Sequence, residues 1–553
     1  SSSRKLYSIN VLLESNVRFL EVLLVSNEKT LIKKKIQLKP FYQEDGFILV
    51  VNRSHSGFSF LNPRHAQKVR RVVYTDLDKL PNEWIGYDGI QTLILDDITS
   101  LDLTSAQEEA IETWLSTGGT LILTARGGYG KFKSSFLLNL LPLEFLEKTY
   151  LESSFSSLQN KYGAFDRSIQ KVQVWNSRWR KGDILMKEGA IPLVISLDID
   201  QGKILFLAFD FLQPPFKNWS GLPHLWVDML KEEKTFLSIP ESIGNFVATG
   251  WFSWQGKLWP ARRGIALFLL VYLLSVGFFC WLGLARGLFR RPGIALALTI
   301  LVFIGVSYPL GLTIRENNTS LKEVTVCYQK QGGFLARARS YVVFFSPCSR
   351  LIELKFNEKN SFVSAFLAPR HQRLLTDLVV HLEDGKIYWR LPFSRPWSFY
   401  LFRLETILPF HLEAKINAQK EVVQLNLKNL DSFSLQDLLL LYDGHGSFLE
   451  ELVPSGQANL TLNLKEKESP FFSSKYLEEV MLRRPDSEAK LRKEIFQQMW
   501  DFEGPLKELT TRFPVLLAWF EKSPQVGIAA DEAGQRSLTG LLIMPLSSLQ
   551  SEP

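Results

Sequence analysis

Cysteine is scarce in this sequence, with three residues in 553. None of them lies in residues 1–279, so the first half of the chain contains no thiol that could act as a nucleophile. No Gly-x-Ser-x-Gly segment supplies a serine nucleophile instead. These absences exclude thiol chemistry in the first half and remove the usual serine alternative.

Metal-binding motifs are also lacking. No His-Glu-x-x-His or Cys-x-x-Cys segment occurs, so we expect no metal site and no cofactor. The seven histidines are scattered along the chain, at positions 55, 65, 224, 371, 381, 411 and 445.

Charge of one sign is not concentrated anywhere. The chain has 64 Lys and Arg against 57 Asp and Glu, a net charge of +7, and no basic run interleaved with aromatic residues. The sequence therefore gives little support to nucleic-acid binding. Apolar residues make up 46% of the chain, as in ordinary folded domains, and the length predicts three to five of them.

Two long segments lack ionisable residues. Residues 264–285 and 292–314 contain no charge, and at 1.5 Å per residue each would reach roughly 30 Å as a helix. The loop between them is short and carries Arg286, Arg290 and Arg291. This pattern predicts a two-helix transmembrane hairpin that acts as an anchor in a lipid bilayer, since no charge marks a transport pathway.

The orientation of this expected hairpin follows from its flanks. Trp251, Trp254 and Trp259 precede it, as interfacial residues do, and a short loop puts both flanks on one side. The arginines in the loop favour a cytoplasmic loop, whereas basic residues before the first segment favour the opposite. A start without Met and the cysteines discussed below favour exoplasmic flanks. We therefore expect a protein of the bacterial inner membrane with both large regions outside.

Strand and helix patterns alternate before residue 240. Residues 47–51, 72–74 and 90–95 are apolar, as strands covered on both faces should be. Thr104 then begins a predicted helix with a capping box, which ends at two glycines before the next predicted strand, 120–124. Strand, helix and strand over about 35 residues predict a parallel βαβ unit. Residues 192–209 predict an antiparallel hairpin at the far edge of the sheet.

Several segments of this region resemble the class I glutamine-amidotransferase-like domain of large bacterial envelope proteins. They are Tyr87-Asp88-Gly89, Asp96-Asp97, residues 103–107, Trp114-Leu115, residues 118–121 and residues 202–206. The resemblance covers roughly residues 45–235 and implies a flavodoxin-like α/β fold. The catalytic cysteine does not carry over, because the turn after the strand at 120–124 has Ala125-Arg126-Gly127-Gly128 in its place. The resemblance therefore implies a degenerate domain without amidotransferase activity.

Charged residues follow several of the predicted strands. Asp96, Asp97 and Asp210 stand at the carboxyl edge, where α/β sheets bind ligands, and His55 and Arg126 could join them. The alternative is that these aspartates only accept hydrogen bonds from loop amides. A phosphate loop at 125–132 is disfavoured, because Phe132 follows the lysine where a Ser or Thr would hold magnesium.

Short strands recur from residue 321 to about 464, which is typical of β-sandwiches. Residues 435–444 and 452–460 resemble an immunoglobulin-like envelope module, and this resemblance implies a binding or spacer role. Cys327 and Cys348 lie on two strands predicted to pair across Gly332-Gly333. They could form a disulfide or remain two buried thiols.

The expected fold class is a multidomain α/β plus all-β membrane protein, with a flavodoxin-like domain, a transmembrane hairpin and β-sandwich domains. The predicted function is a non-catalytic, membrane-anchored envelope scaffold or binding subunit of a larger protein complex. One alternative is an enzyme or a nucleotide or ligand sensor that uses the carboxyl-edge residues, and another is a transporter accessory subunit. The predicted divisions are a strand remnant at 1–43, the α/β domain at 44–240, a linker at 241–263, the hairpin at 264–314, the sandwich region at 315–466, and a helical segment with terminal strands at 467–553.

Overall fold

The computed structural model divides into two compact units. The first contains Ser1–Phe236 with Gln329–Ala336, and the second contains Leu237–Tyr328 with Arg337–Pro553. The residues that it describes are 19–26, 29–37, 47–61, 71–97, 103–126, 141, 143–151, 155–165, 171–179, 182–230, 242–247, 262–286, 297, 299–307, 319–346, 348–356, 361–365, 379–383, 386–393, 398–419, 421–465, 487–500, 505–521, 528–529 and 535–546.

The first unit is an α/β structure. Its strands are β1 (Phe19–Ser26), β2 (Lys29–Gln37), β3 (Phe47–Val51), β4 (Arg71–Thr75), β5 (Ile90–Leu95), β6 (Thr120–Thr124), β7 (Leu143–Leu151), β8 (Val172–Trp179), β9 (Asp183–Glu188), β10 (Ile191–Ile199) and β11 (Gly202–Leu207). Its helices are α1 (Ser105–Ser116), α2 (Ser156–Tyr162) and α3 (Leu222–Met229). Strands β1 and β2 form a separate antiparallel pair, as do β7 and β8.

The main sheet of this unit has the order β4-β3-β5-β6-β11-β10-β9. The first five strands are parallel, so in chain order they run 2-1-3-4-5, the order of flavodoxin-like doubly wound sheets. The order reverses between β3 and β5, which makes the carboxyl ends of these two strands the topological switch point. The βαβ unit predicted over residues 90–124 is confirmed.

The predicted far edge of the sheet is wrong in one respect. Strands β10 and β11 form the expected antiparallel hairpin, but β11 also pairs in parallel with β6 and lies inside the sheet. The edge position is taken by β9, which pairs with β10 and follows no apolar pattern. A short strand with an exposed face gives too weak a periodicity to be predicted.

Helix α1 covers one face of the sheet and begins as the sequence predicts. The side-chain hydroxyl of Thr104 accepts from the backbone N–H of Gln107, and the Gln107 side chain accepts from the Thr104 N–H, so the capping box is complete. The helix ends before Gly118, whose φ of 114° needs glycine. Ala110, Ile111, Trp114 and Leu115 are buried on its inner face.

The other face of the sheet is covered by an aromatic cluster. Ile94 of β5 and Ile122 of β6 contact it, while the alternate residues of these strands face α1. Its rings include Phe58, Phe209, Phe211, Phe216 and Trp226, and Phe58 meets Trp226 edge to face at 5.4 Å. Because both faces are covered, the central strands are mainly apolar, and the charged residues Asp96, Asp97 and Arg126 come after the strands end.

The second unit consists mainly of β-sheet. Its strands are β12 (Ser320–Tyr328), β13 (Leu335–Ser346), β14 (Arg350–Phe356), β15 (Ser361–Ala365), β16 (Val379–Glu383), β17 (Lys386–Phe393), β18 (Ser398–Pro409), β19 (Leu412–Gln419), β20 (Val422–Asn429), β21 (Leu435–Tyr442), β22 (His445–Leu452), β23 (Gln457–Asn463), β24 (Val515–Phe520), β25 (Ile528–Ala529) and β26 (Gln535–Pro545). Its helices are α4 (Arg262–Arg286), α5 (Ser487–Trp500) and α6 (Pro505–Arg512).

The largest sheet of the second unit has the order β15-β18-β13-β12-β26-β24-β21-β22. One of its faces packs on α5, α6 and the helical residues 242–247, through Ile495, Met499, Leu506 and Ile243 among others. Smaller sheets have the orders β16-β17-β14-β25 and β19-β20-β23.

The predicted immunoglobulin-like sandwich is not what these strands form. Strands β12 and β26 are parallel neighbours in the middle of the large sheet, whereas immunoglobulin sheets are antiparallel. Strands β24 and β26 also come from beyond residue 466, so the largest sheet is not contained within the predicted sandwich region. Regular short strands predict a β structure, but they do not specify which strands pair.

The predicted transmembrane hairpin over 264–314 is wrong, and so are the fold class that included it and the location in a bacterial inner membrane with exoplasmic flanks. Within the part of the chain that the structure describes, no helix has both the length and the apolarity needed to cross a membrane. An uncharged run is a pattern of composition, and it does not by itself establish a helix that crosses a membrane.

Of the two alternatives for Cys327 and Cys348, the disulfide is not formed, and all three cysteines are free. Strands β12 and β13 pair as predicted, but their register places Cys327 opposite Ala338, near the turn. Cys348 lies beyond the far end of β13, ten residues past Ala338. At about 3.3 Å per strand residue this separation exceeds the reach of a disulfide several times over.

Candidate functional site

Four parallel strands of the first unit bring polar residues to one edge of the sheet. Asn52 directly follows β3, and Asp96 and Asp97 directly follow β5. Arg126 follows β6 after one residue, and Asp210 follows β11 after two. Because these strands are parallel, their carboxyl ends meet at the same edge. We call these five residues the carboxyl-edge cluster.

Asp96 is the centre of the cluster and is completely buried. Its Oδ1 accepts a hydrogen bond from the Thr124 hydroxyl at 2.7 Å. Its Oδ2 accepts from Nη1 of Arg126 at 2.9 Å and from Nδ2 of Asn52 at 3.5 Å. A buried carboxylate is stable only when it is paired and hydrogen-bonded, and these donors meet that requirement.

Arg126 links Asp96 to the two other aspartates. Its Nη2 lies 3.7 Å from Oδ2 of Asp97, and its Nε lies 3.5 Å from Oδ2 of Asp210. These contacts are longer than the 2.9 Å contact to Asp96, so the guanidinium is bound mainly by Asp96. The Asp97 and Asp210 side chains are 30% and 20% exposed, which leaves their oxygens partly accessible.

The carboxyl of Asp210 has a raised pKa. Burial raises the pKa of its carboxyl above the ordinary value, and the nearby Asp96 carboxylate adds to the rise. The Leu212 backbone N–H, which donates to Oδ1 at 2.9 Å, and the Arg126 charge lower the pKa but do not outweigh burial. The ionised form of Asp210 is therefore less stable in the folded protein than the ionised form of an aspartate in water.

Asn52 was missed by the sequence reasoning. It is 4% exposed, and its Nδ2 donates to the Ser56 carbonyl at 2.8 Å as well as to Asp96. Its Oδ1 is buried and has no hydrogen-bond partner among the described residues. The available signal was the same as for Asp96, a polar residue placed directly after an apolar strand.

His55 does not join the cluster as the sequence reasoning expected. Its Nε2 lies 2.7 Å from Oδ1 of Asp76, and Lys79 also contacts Asp76. The His55 ring stacks against Tyr74 with centroids 6.4 Å apart. Both Asp76 and His55 are well exposed, so this is a surface ion-pair group.

A tryptophan that the sequence reasoning also overlooked borders the cluster. The Nε1 of Trp175 donates to the Ala125 carbonyl at 3.1 Å, and its backbone N–H donates to the Ala208 carbonyl at 2.8 Å. Trp175 therefore lies beside the carboxyl ends of β6 and β11, and its half-buried side chain contacts the residue that precedes Arg126.

Other predicted residues are not part of this site. Trp251, Trp254, Trp259, Arg290 and Arg291, and residues 127–132 of the glycine loop, lie outside the described residues. Arg286 is the last residue of α4, and its side chain is not described. Among the described residues, no group of three or more His, Cys, Asp or Glu side chains is arranged to hold a metal ion.

The chemistry of the cluster is that of a hydrogen-bond acceptor. Three aspartates face one arginine, and the unpaired amide oxygen of Asn52 adds another acceptor. None of the five residues is a serine, threonine, cysteine, lysine or histidine. The arrangement can bind a polar group that donates hydrogen bonds, and it lies at the switch point where doubly wound sheets bind ligands.

Comparisons with known proteins leave the family open. No family model and no curated protein matches this sequence. Among solved structures, the chain is similar to the exo-beta-1,4-mannosidase Op5Man5 from Opitutaceae bacterium strain TAV5, with 13% identity over 34% of this chain and a TM-score of 0.22. That match spans 37% of the mannosidase.

Two further structures are similar to a comparable degree. The yeast delta-COP-I mu-homology domain matches with 8% identity, 42% of this chain, 98% of that chain and a TM-score of 0.22. The beta-galactosidase from Rahnella sp. R3 matches with 9% identity, 65% of this chain, 41% of that chain and a TM-score of 0.23. The glutamine-amidotransferase and immunoglobulin resemblances find no support here, and at these scores the likenesses carry no argument about fold, substrate or partner.

Proposed function

We propose that this chain is a non-catalytic binding protein and that a small polar ligand binds at the carboxyl-edge cluster. The observation that carries the proposal is the Asn52 Oδ1, a buried acceptor without a described donor, on a side chain whose Nδ2 donates to the Asp96 carboxylate at the switch point. Leaving such an atom unpaired costs about 1–3 kcal/mol, and a ligand donor at this point would remove that cost.

Two common kinds of nucleophilic site are missing from the sequence, which favours binding over turnover in this proposal. The first unit has no cysteine, and the whole chain has no Gly-x-Ser-x-Gly segment, so neither thiolate attack nor an acyl-serine step is available by a known arrangement. The Arg126 guanidinium contacts the Asp96 carboxylate at 2.9 Å. Its charge therefore serves mainly to stabilise that buried carboxylate.

The test is a binding screen on the full chain with three ligand classes at about 10 mM: small amines, neutral polyols, and small carboxylates or phosphates. Amide hydrogen exchange followed by mass spectrometry locates any protection. We expect at least one class to protect the peptides that contain Asn52, Asp96 and Asp97, and Asp210. The same class should protect Asp97→Asn less.

The matched control is Asp200→Asn. Asp200 has a φ of 48° and Asp97 a φ of 44°, so the two substitutions remove one charge from the same left-handed backbone conformation. Asp200 lies in the turn before β11, at the opposite end of that strand. Ligand protection should therefore be unchanged in Asp200→Asn. Failure of all three classes to protect the wild-type cluster would overturn the proposed function.

A further inference from the structure

We propose that the ligand of the carboxyl-edge cluster is a small organic cation, in which a primary ammonium group meets the aspartates and a neighbouring hydroxyl reaches Asn52. This inference rests on the proposed function and adds the chemical class of the ligand. It is carried by the hydrogen-bonding capacity and the charge that remain at the edge after the internal contacts are made.

The orientation of the Asn52 amide fixes which atom is available. Its Nδ2 faces two acceptors, the Ser56 carbonyl at 2.8 Å and the Asp96 carboxylate at 3.5 Å. Turning the amide over would place an oxygen against both acceptors, which is unfavourable. The unpaired atom is therefore the oxygen, and its partner has to be a donor.

The aspartates require the same kind of partner. Asp96 accepts from three donors within the protein. Asp97 lies 3.7 Å from Arg126, and Asp210 lies 3.5 Å from it while also accepting from the Leu212 N–H and the Gln213 side chain. Ionised carboxylates accept and do not donate, so Asn52 Oδ1 and the aspartates offer acceptors to a ligand. An ammonium group, with three donors and no acceptor, matches this set.

Charge selects a cation over a neutral donor. Three carboxylates against one guanidinium leave a formal excess of two negative charges in the cluster when all are ionised. A carboxylate or phosphate ligand would be repelled, and a polyol would leave the excess unchanged. A cation beside Asp210 would also oppose the effect of burial that raises the pKa of this carboxyl.

The experiment compares four probes on the full chain by isothermal titration calorimetry: ethanolamine, ethylene glycol, glycolate and magnesium chloride. The first three share two carbons and a hydroxyl and differ in the charge of the second group. We expect ethanolamine to bind with a millimolar dissociation constant and the other three at least tenfold more weakly. Binding should weaken as the pH falls through the raised pKa of Asp210, because a protonated carboxyl no longer attracts the cation.

Variants place the binding at the cluster. Asp97→Asn and Asn52→Ala should each weaken ethanolamine binding at least fivefold, whereas Asp200→Asn should leave it unchanged. Hydrogen exchange of the wild-type protein provides a measurement that does not depend on the variants folding. With ethanolamine present, the peptides that contain Asp97 and the peptides that contain Asp210 should exchange more slowly.

The outcomes separate this inference from the proposed function. If ethylene glycol or glycolate protects the cluster as well as ethanolamine does, the site binds a ligand but the cation inference is wrong. Binding of magnesium alone would overturn it in the same way. If ethanolamine does not bind, the cation inference is overturned, and the three-class screen then decides whether the proposed function fails with it.

Discussion

Replacing the buried carboxylate at the centre of the cluster gives the sharpest stability test. Asp96→Asn keeps the shape of the side chain but removes its charge and one acceptor oxygen. The hydroxyl of Thr124 and the guanidinium of Arg126, at 2.7 and 2.9 Å, then compete for a single oxygen, and the new amide N–H groups face donors. We expect this substitution to destabilise the first unit.

The expected loss of stability in Asp96→Asn depends on how far the Asp96 and Arg126 side chains are exposed. Breaking a fully buried ion pair costs about 3–5 kcal/mol. The Arg126 side chain is 22% exposed and still has Asp97 and Asp210 within 3.7 Å, which reduces the loss. We therefore expect about 2–3 kcal/mol, between a single charge-assisted hydrogen bond and a fully buried pair. Such a loss corresponds to a roughly 30- to 150-fold fall in amide protection.

Hydrogen exchange is the suitable assay because the chain has two units and a single unfolding transition is not defined. Peptides from β3, β5 and β6 should lose protection in Asp96→Asn, while Asp200→Asn stays within about 0.5 kcal/mol of wild type. The double variant Asp96→Asn/Arg126→Met should be less destabilised than the sum of the single variants. A fall in protection of less than about threefold in Asp96→Asn would refute the view that this ion pair stabilises the edge.

Substitutions at three further positions test other interactions in the chain. Thr104→Ala removes the cap of α1 and should cost about 1 kcal/mol in the exchange of α1 peptides; unchanged exchange would contradict the capping role. Asp210→Asn should gain stability relative to wild type as the pH rises from 3.8 through the raised folded pKa, because only the wild type then carries the poorly solvated charge; a pH-independent difference would contradict this. Arg492→Met removes a buried guanidinium that contacts Asp437 at 2.6 Å and Glu521 at 2.9 Å, and it should destabilise α5 by about 3 kcal/mol. Arg492→Lys should have an intermediate effect. Equal stability of the wild type and both variants would show that these ion pairs contribute nothing to stability.

The elements of the first unit that the sequence predicts are those with a local signature. The capping box at Thr104, the positive φ at Gly118 and the buried strands at 90–95 and 120–124 each depend on neighbours a few residues apart. The second unit offers no such signature for its pairing. Strands β12 and β26 are parallel neighbours although more than 200 residues separate them, and short apolar runs do not specify a partner at that distance.

The same distinction explains the carboxyl-edge cluster. A parallel sheet brings strand ends together whatever their sequence separation, so Asp96, Arg126 and Asp210 could be placed at one edge before any contact was known. His55 lies four residues past the end of its strand, and over that length the loop conformation, with a φ of 45° at His55, decides where the side chain goes. Asn52 also lies directly after an apolar strand, which is the pattern that predicts Asp96 and Asp97, but Asn52 carries no charge. That its Oδ1 has no donor among the described residues depends on the hydrogen-bond arrangement, which only three-dimensional contacts reveal. This oxygen, together with the carboxylates of Asp97 and Asp210, makes the group of strand-end residues a binding site that can be tested.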